Sequence, residues 1–169
     1  MPCSDAMITD VVTARPDQTV EEALHILQER DIRGFPVVNE NNQVLGVFNF
    51  ATLLLAVLPM SVSLDDDFMH HKHLKLSLDY TSGQAPWLAD RLSKVLPKKL
   101  EEVMTGEARA VHPETPLGEG ARRLLEYGSP LPVAEKGTNV LVGIITSQST
   151  LSAIIGIKDN LEDYKDTKF

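Results

Sequence analysis

A chain of 169 residues, 43% of them hydrophobic, can bury one compact core or two small ones. Sixteen Lys and Arg against 24 Asp and Glu leave a net charge of −8, which repels nucleic-acid phosphates and anionic membranes and excludes both as main partners. Cys3 is the one cysteine, so there is no internal disulfide framework; Met1 to Asp5 carry neither a basic region nor an apolar run, and the apolar stretch 50–60 is too short to span a bilayer, so a cytoplasmic protein is expected.

In chain order, Val11-Val12-Thr13-Ala14 predicts a brief β-branched strand ended by Arg15-Pro16. Thr19-Val20-Glu21-Glu22 has the form of a capping box, and Val20, Ala23, Leu24 and Leu27 fall on one helical face. Arg33-Gly34 is expected to stop that helix. Phe35 to Val38 and Val44 to Phe48 read as two strands of a hairpin around the turn Asn39–Asn42. Phe50 to Leu58 is an apolar helix that Pro59 ends, with Asn49 placed to cap it. Residues 60–99 carry an acid- and histidine-rich run (Asp65 to His73), then an amphipathic helix from Pro86-Trp87-Leu88 through Leu92, Val95 and Leu96 to Pro97. Trp87 is expected to cover an edge. Ala108 to Val111 predicts a strand and Thr115-Pro116 a helix start with Thr115 as cap. Leu117, Ala121, Leu124 and Leu125 would form that helix's buried face, weakened by Gly118 and Gly120. Leu131 to Ala134 and Val140 to Ile145 make a second hairpin, Leu151 to Ile157 a second apolar helix capped by Thr146 or Ser147, and Lys158 to Phe169 a polar tail, a frayed helix or coil.

The chain repeats itself. At an offset of 97, Met7 meets Met104, Pro16 meets Pro113, Glu22 meets Glu119, Leu27 meets Leu124, Glu29 meets Glu126, Gly46 meets Gly143, Leu54 meets Leu151 and Ala56 meets Ala153. Pro36-Val37 matches Pro132-Val133 at offset 96, and the interval from proline to glycine is 30 in both copies. Each copy reads β-α-β-β-α, an α/β (α+β) fold built twice. A unit of roughly 50 residues buries too little surface alone, so the copies should pack together as a pair. The expected boundaries are repeat one at 1–58, an insert at 59–99, repeat two at 100–157 and a tail at 158–169. The two apolar second helices either pack inside this core or also bury against a second copy, and a homodimer is expected.

These residues resemble a known family, the tandem CBS domains or Bateman modules. The resemblance rests on Met104-Thr105, the Pro16 and Pro113 turns, Gly34-Phe35-Pro36-Val37-Val38 with Leu131-Pro132-Val133, and Gly46-Val47-Phe48 with Gly143-Ile144-Ile145-Thr146, each followed by an apolar helix. It implies a pseudo-twofold pair whose clefts take adenosine-containing ligands such as AMP, ATP or S-adenosylmethionine. It also implies regulation of an attached or partner protein without catalysis, and dimeric assembly. Transferred position by position, it makes Thr13, Ala14, Arg33, Gly34, Phe35, Pro36, Asn49 and Thr52 the ligand candidates of copy one. In copy two they are Ala110, Val111, Leu131, Pro132, Thr146 and Ser149.

This chain departs from the family at the ribose. The family places an Asp six residues after the glycine; here Thr52 and Ser149 stand at those positions, and Asn49 stands at the Thr position of copy one. Losing a carboxylate that accepts two hydrogen bonds costs about 3 kcal/mol, on the order of 100-fold in affinity. On the phosphate side Arg33 precedes Gly34, either contacting phosphate or standing as a solvated cation at a helix end. Copy two has Ser129-Pro130 there. Arg122 and Arg123 are expected on the exposed helix face, and His112, matching Arg15, either lines a cleft or sits in a surface loop.

No catalytic residue is expected. His70, His71 and His73, with the neighbouring acids, are the only candidate metal ligands; their spacing fits no fixed motif, so no metal site and no required cofactor is assigned. Two functions remain open. One is a stand-alone regulatory module that binds a small, adenosine-type ligand and signals to a partner protein. The other is a dimeric scaffold that has lost the nucleotide.

Overall fold

The computed structural model describes residues 1–58, 85–104 and 109–166. They fall into two compact units: Val12–Ala108, the first unit, and Met1–Val11 with Arg109–Phe169, the second.

In the first unit α1 (Val20–Glu29) begins at the capping box read from the sequence: Glu22 N–H donates to Thr19 Oγ1 and Thr19 N–H to the Glu22 carboxylate. Val20, Ala23 and Leu27 are its buried face. The helix stops at Glu29, earlier than the expected Arg33-Gly34 stop. Asp31 takes the left-handed conformation (φ 51°), which breaks the helical repeat, and Ile32 N–H turns back to Leu27 O at 3.1 Å. β1 (Gly34–Val38) pairs antiparallel with β2 (Val44–Asn49), with Phe35 opposite Phe48 and the two rings 5.9 Å apart. β1 is buried along its whole length, and β2 alternates buried and half-buried residues. The expected strand 11–14 shrinks to a single parallel bridge, Ala14 to Val37. α2 (Phe50–Val57) follows at once.

The end of the insert belongs to this unit. α3 (Ala85–Val95) packs on α2, and Arg91 donates from Nε to Val57 O and from Nη2 to Leu58 O, both at 2.6 Å. Those carbonyls sit at the end of α2, where a cation also meets the negative end of the helix dipole. Val95 and Leu100 complete a core with Ala14, Leu27, Phe35, Phe48 and Leu53. Trp87 stays 38% exposed with the Arg91 guanidinium 5.2 Å from its ring centre. A short α4 (Leu100–Val103) ends the unit's described part.

The second unit repeats the plan with α5 (Leu117–Tyr127), β3 (Leu131–Ala134), β4 (Leu141–Ile145) and α6 (Ser147–Asp166). β3 and β4 pair antiparallel, and Val111 bridges Val133 as Ala14 bridges Val37. Two expectations change. Thr115 does not cap α5: the N-cap is Pro116, without a side-chain bond, and Thr115 Oγ1 accepts the His112 N–H instead. Leu125 is 65% exposed; the buried face is Leu117, Gly120 and Leu124. The last helix runs from Ser147 through Asp166, so of the frayed helix or coil expected after Ile157 it is the helix that forms.

The segment leading into each repeat packs on the other repeat. In the second unit Cys3 N–H donates to Thr115 O (2.7 Å), Ser4 N–H to Pro113 O (3.0 Å), and Leu117 N–H to Met1 O (2.8 Å). In the first, Leu100 N–H donates to Gln18 O (2.8 Å), Glu101 N–H to Pro16 O (3.1 Å), and Val20 N–H to Lys98 O (2.8 Å). The two sets correspond at the offset of 97. The unit boundaries therefore run across the family-like repeat boundaries near both lead-ins.

Two glycines admit the N-terminal lead-in. A Cβ on Gly120 would meet Cys3 Sγ, and one on Gly143 would meet Met7 Cγ and Sδ and, at 2.7 Å, Ile8 O. Gly120 thus gives up helix propensity for close approach. Burial in this notch raises the Cys3 thiol pKa. Gly143→Ala forces Ile8 from β4, where Ile8 and Ile144 exchange both backbone hydrogen bonds. It should lower the urea unfolding free energy by about 1–3 kcal/mol, whereas Gly118→Ala, with open space around it, should not.

Candidate functional site

In the first unit the backbone gathers most of the sequence candidates at one place. Ala14 N–H donates to Pro36 O at 3.2 Å and Val38 N–H to Ala14 O at 2.9 Å, which lays the Thr13-Ala14 segment along β1. Gly34, at the start of β1, lies opposite Asn49 at the end of β2, and Phe50 N–H donates to Arg33 O at 3.4 Å. Arg33, Gly34, Asn49 and Thr52 are therefore collected around the N-terminus of α2. Phe35 is fully buried in the core and Pro36 is buried, so Phe35 contributes packing while Pro36 contributes a carbonyl. Thr13 is half-buried, and Arg33 is exposed.

The second unit does the same with its own residues. Val111 N–H donates to Pro132 O (3.0 Å), and Ala134 N–H to Val111 O (2.9 Å). Leu131 opposes Ile145, and Thr146 follows directly at the start of α6. Ala110 is half-buried, and its carbonyl accepts Arg123 Nη1–H at 3.5 Å.

The polar side chains at the two helix starts are already engaged. Asn49 Oδ1 accepts both Thr52 N–H (2.8 Å) and Thr52 Oγ1–H (2.9 Å), and Thr52 is 4% exposed. In the second unit Ser149 N–H donates to Thr146 Oγ1 and Thr146 N–H to Ser149 Oγ, both at 3.0 Å, while Ser149 Oγ–H donates to Thr146 O (3.3 Å). Both pairs satisfy donors that a helix leaves open at its first turn. Thr146 rather than Ser147 is the cap. Neither pair presents a carboxylate.

Charge is distributed unequally. Arg122 and Arg123, expected on the exposed face of α5, bind Glu119 at 2.8 and 2.9 Å, and Arg122 also reaches Glu126 at 2.9 Å. Hydrogen bonds from Arg122 and Arg123 hold the Glu119 carboxyl at a pKa of about 2. Arg109 stacks 4.8 Å from the centre of the Tyr127 ring. His112 is half-buried, with Nδ1 3.0 Å from Ala134 O, so it is tied to β3. Thr150, next to Ser149, is 4% exposed, and its hydroxyl has no partner among the described residues.

Sequence reasoning missed Arg91 and the roles of Gly120 and Gly143. Arg91 lacked a signal, because its partners are backbone carbonyls more than 30 positions away. The lead-in exchange had one: the offset of 97 carries Cys3 onto Leu100. His70, His71 and His73, like Thr105 and Ala108, lie outside the described residues. Among the described residues no group of three or more His, Cys, Asp or Glu is placed to hold a metal, and no helix is long and apolar enough to cross a membrane.

The shared Asn49 acceptor gives a test of the cap. Asn49→Ala removes the acceptor for the α2 N-terminus and leaves the buried Thr52 hydroxyl unpaired. It should cost about 1–2 kcal/mol in denaturant unfolding, and pairing it with Thr52→Val should recover part of that loss.

Comparison with known proteins places this geometry. The model of the CBS domain matches twice, over residues 3–59 and 100–156. The chain is 31% identical over 150 residues to the CBS domain-containing protein CBSX1, chloroplastic, of Arabidopsis thaliana, covering 88% of this chain and 61% of that protein. It thus spans about three fifths of this curated relative. The crystal structure of the CBS-pair protein CBSX2 from Arabidopsis thaliana aligns with a TM-score of 0.68 at 26% identity, covering 94% of this chain and 96% of that one. The structure of CBSX2 in complex with AMP aligns with a TM-score of 0.66 at 27% identity, covering 93% and 98%.

Proposed function

This chain belongs to the CBS-domain family, and on that premise we propose that it is a non-catalytic regulatory module that binds an adenosine-type ligand such as AMP, ATP or S-adenosylmethionine and signals to a partner protein. The observation that carries the reading is the duplicated backbone frame: Ala14 against Pro36 and Val38 beside the start of α2, and Val111 against Pro132 and Ala134 beside the start of α6. A frame of peptide N–H and C=O groups suits the edge of an adenine, and the likeness to CBSX2 in complex with AMP supports the assignment. Thr13, Ala14, Arg33, Gly34, Pro36, Asn49 and Thr52 would line the ligand in the first unit. Ala110, Val111, Leu131, Pro132, Thr146 and Ser149 would do so in the second, and Arg33 is the cation for a phosphate. No cofactor is required. A cytoplasmic location goes with this reading, although the curated relatives are named chloroplastic.

The helix-start pairs favour a second reading, the ligand-free scaffold. In the second unit the Thr146 and Ser149 hydroxyls each accept the other's backbone N–H, in the first the Thr52 hydroxyl donates to Asn49 Oδ1, and neither pair includes a carboxylate. The two readings differ at one residue. Ser149→Asp restores the family carboxylate while Asp can still reach back to Thr146 N–H. Under the sensor reading, titration calorimetry finds weak AMP binding to the wild type, tightened by roughly 100-fold in the variant and weakened by Arg33→Ala. AMP heats absent from both proteins would leave the scaffold.

We also propose that the module dimerises through α2 and α6, whose outer faces leave Leu54 65%, Leu151 59% and Ile155 54% exposed. Leu54 and Leu151 are repeat-equivalent, so the two helices offer related apolar surfaces. Sedimentation should find a dimer in the wild type and a monomer in Leu151→Asp/Ile155→Asp; a monomeric wild type, or a dimer untouched by the substitutions, would defeat this.

A further inference from the structure

The groups of the first unit's candidate site differ in what they leave open to a ligand. Pro36, whose carbonyl accepts Ala14 N–H, stands two residues along β1 from Gly34, about 6–7 Å on strand geometry. Gly34 lies opposite Asn49, and Arg33 O accepts Phe50 N–H, so the start of α2 stands at the Arg33 end of that run. On the proposed adenosine reading, from which this inference proceeds, the peptide frame takes the base and Arg33 the phosphate. The sugar joins base to phosphate in any nucleotide, and the group beside it is then the Asn49–Thr52 cap.

That cap offers a sugar hydroxyl no strong acceptor. Asn49 Oδ1 accepts from Thr52 N–H at 2.8 Å and from Thr52 Oγ1–H at 2.9 Å, which uses both lone pairs of an amide oxygen. The Thr52 hydroxyl spends its proton there, and at 4% exposure the residue is closed to a ligand. None of the residues gathered at this helix start, Arg33, Gly34, Asn49 and Thr52, is acidic. Selecting ribose over 2′-deoxyribose takes an acceptor for the 2′-hydroxyl proton. A charged acceptor separates the two sugars by roughly ten- to a hundredfold, a neutral one by only about severalfold.

We infer that the first unit's site reads the base and the 5′-phosphate of a nucleotide but not its 2′-hydroxyl, so that 2′-deoxyribonucleotides bind on equal terms with ribonucleotides, and that Asn49 is the residue that sets this. One atom carries the difference. In Asn49→Asp the side chain keeps its shape, one oxygen still caps Thr52, and an ionised acceptor stands where the amide nitrogen stood. Asp is as good an N-cap as Asn and meets the positive end of the helix, so the variant keeps the fold.

Amide NMR on the full chain tests this at the first unit itself, through the Ala14 and Val38 amides that bond the site segment to β1. AMP and 2′-deoxyadenosine 5′-monophosphate are titrated separately. In the wild type both should shift these amides, with dissociation constants within about fivefold of each other. In Asn49→Asp the preference for AMP should exceed about fivefold. A wild type that prefers AMP by more than this, or a variant that stays within it, overturns the inference and leaves adenosine binding standing. Amides that respond to neither nucleotide overturn the adenosine reading, and the inference with it.

Discussion

The carbonyls of half-buried Pro16 and Gln18, and of Pro113 and Thr115, accept backbone hydrogen bonds, and an acceptor left without a donor costs more the less water reaches it. Each repeat answers this with donors from a segment distant in sequence: Leu100 and Glu101 for the first pair, Cys3 and Ser4 for the second. From that requirement much of the architecture follows. The N-terminal segment must approach α5 and β4 closely, so both positions under it are glycine. Leu117 finds an acceptor for its first-turn N–H in Met1 O, which explains how α5 starts on Pro116 without a side-chain cap. In the first unit the same requirement brings in the end of the insert, and with it Val95, Leu100 and the Arg91 clamp on α2.

The candidate sites are framed by main-chain atoms, and the polar side chains at their helix starts are already bonded to one another. Their frame is main-chain hydrogen bonding, which does not depend on residue type, so Ala14 and Val111 serve equally well. The side chains have diverged within the frame. Asn49 with Thr52 and Thr146 with Ser149 reach the same result, a closed cap, by different atoms. A cap of this kind stabilises a helix whether or not a ligand is present. The loss of the ribose carboxylate therefore leaves a folded, ordered helix start.

The duplication made most of the fold legible in the sequence. Period and spacing gave the helices and hairpins, and local rules gave the Thr19 capping box and the Asn49 cap, because all their partners lie within a few residues. Thr115 failed because its hydroxyl is used backwards, by His112, while the Leu117 N–H it would have capped goes to Met1 O. Leu125 failed because α5 turns its Leu117, Gly120 and Leu124 side inward, toward the lead-in that packs against Gly120. Arg91 and the exchange of lead-ins depend on groups far apart in sequence, and neither hydrophobic period nor turn chemistry records them. The pairing of Ala14 and Val111 with the two Pro-Val strands follows what the family resemblance implies, a resemblance that the Pro-Val and Gly spacing carries. The site's polar half was not legible, since whether Ser149 faces outward or bonds Thr146 is decided by hydrogen-bond geometry at the helix start.

The two units also differ in charge, and this sets the direction of any response under the proposed reading. In the first unit Arg33 is exposed at the head of β1, with no acidic partner assigned to it among the described residues. In the second the corresponding stretch is Ser129-Pro130, while Arg122 and Arg123 are bound to Glu119 and Arg109 is stacked on Tyr127. An anionic ligand therefore meets a ready cation at the first site, whereas at the second an arginine must first leave a carboxylate or an aromatic ring. Association with an acidic protein already works against an anion over long range, which makes that local difference weigh more. A phosphate-bearing ligand would then engage the first unit first.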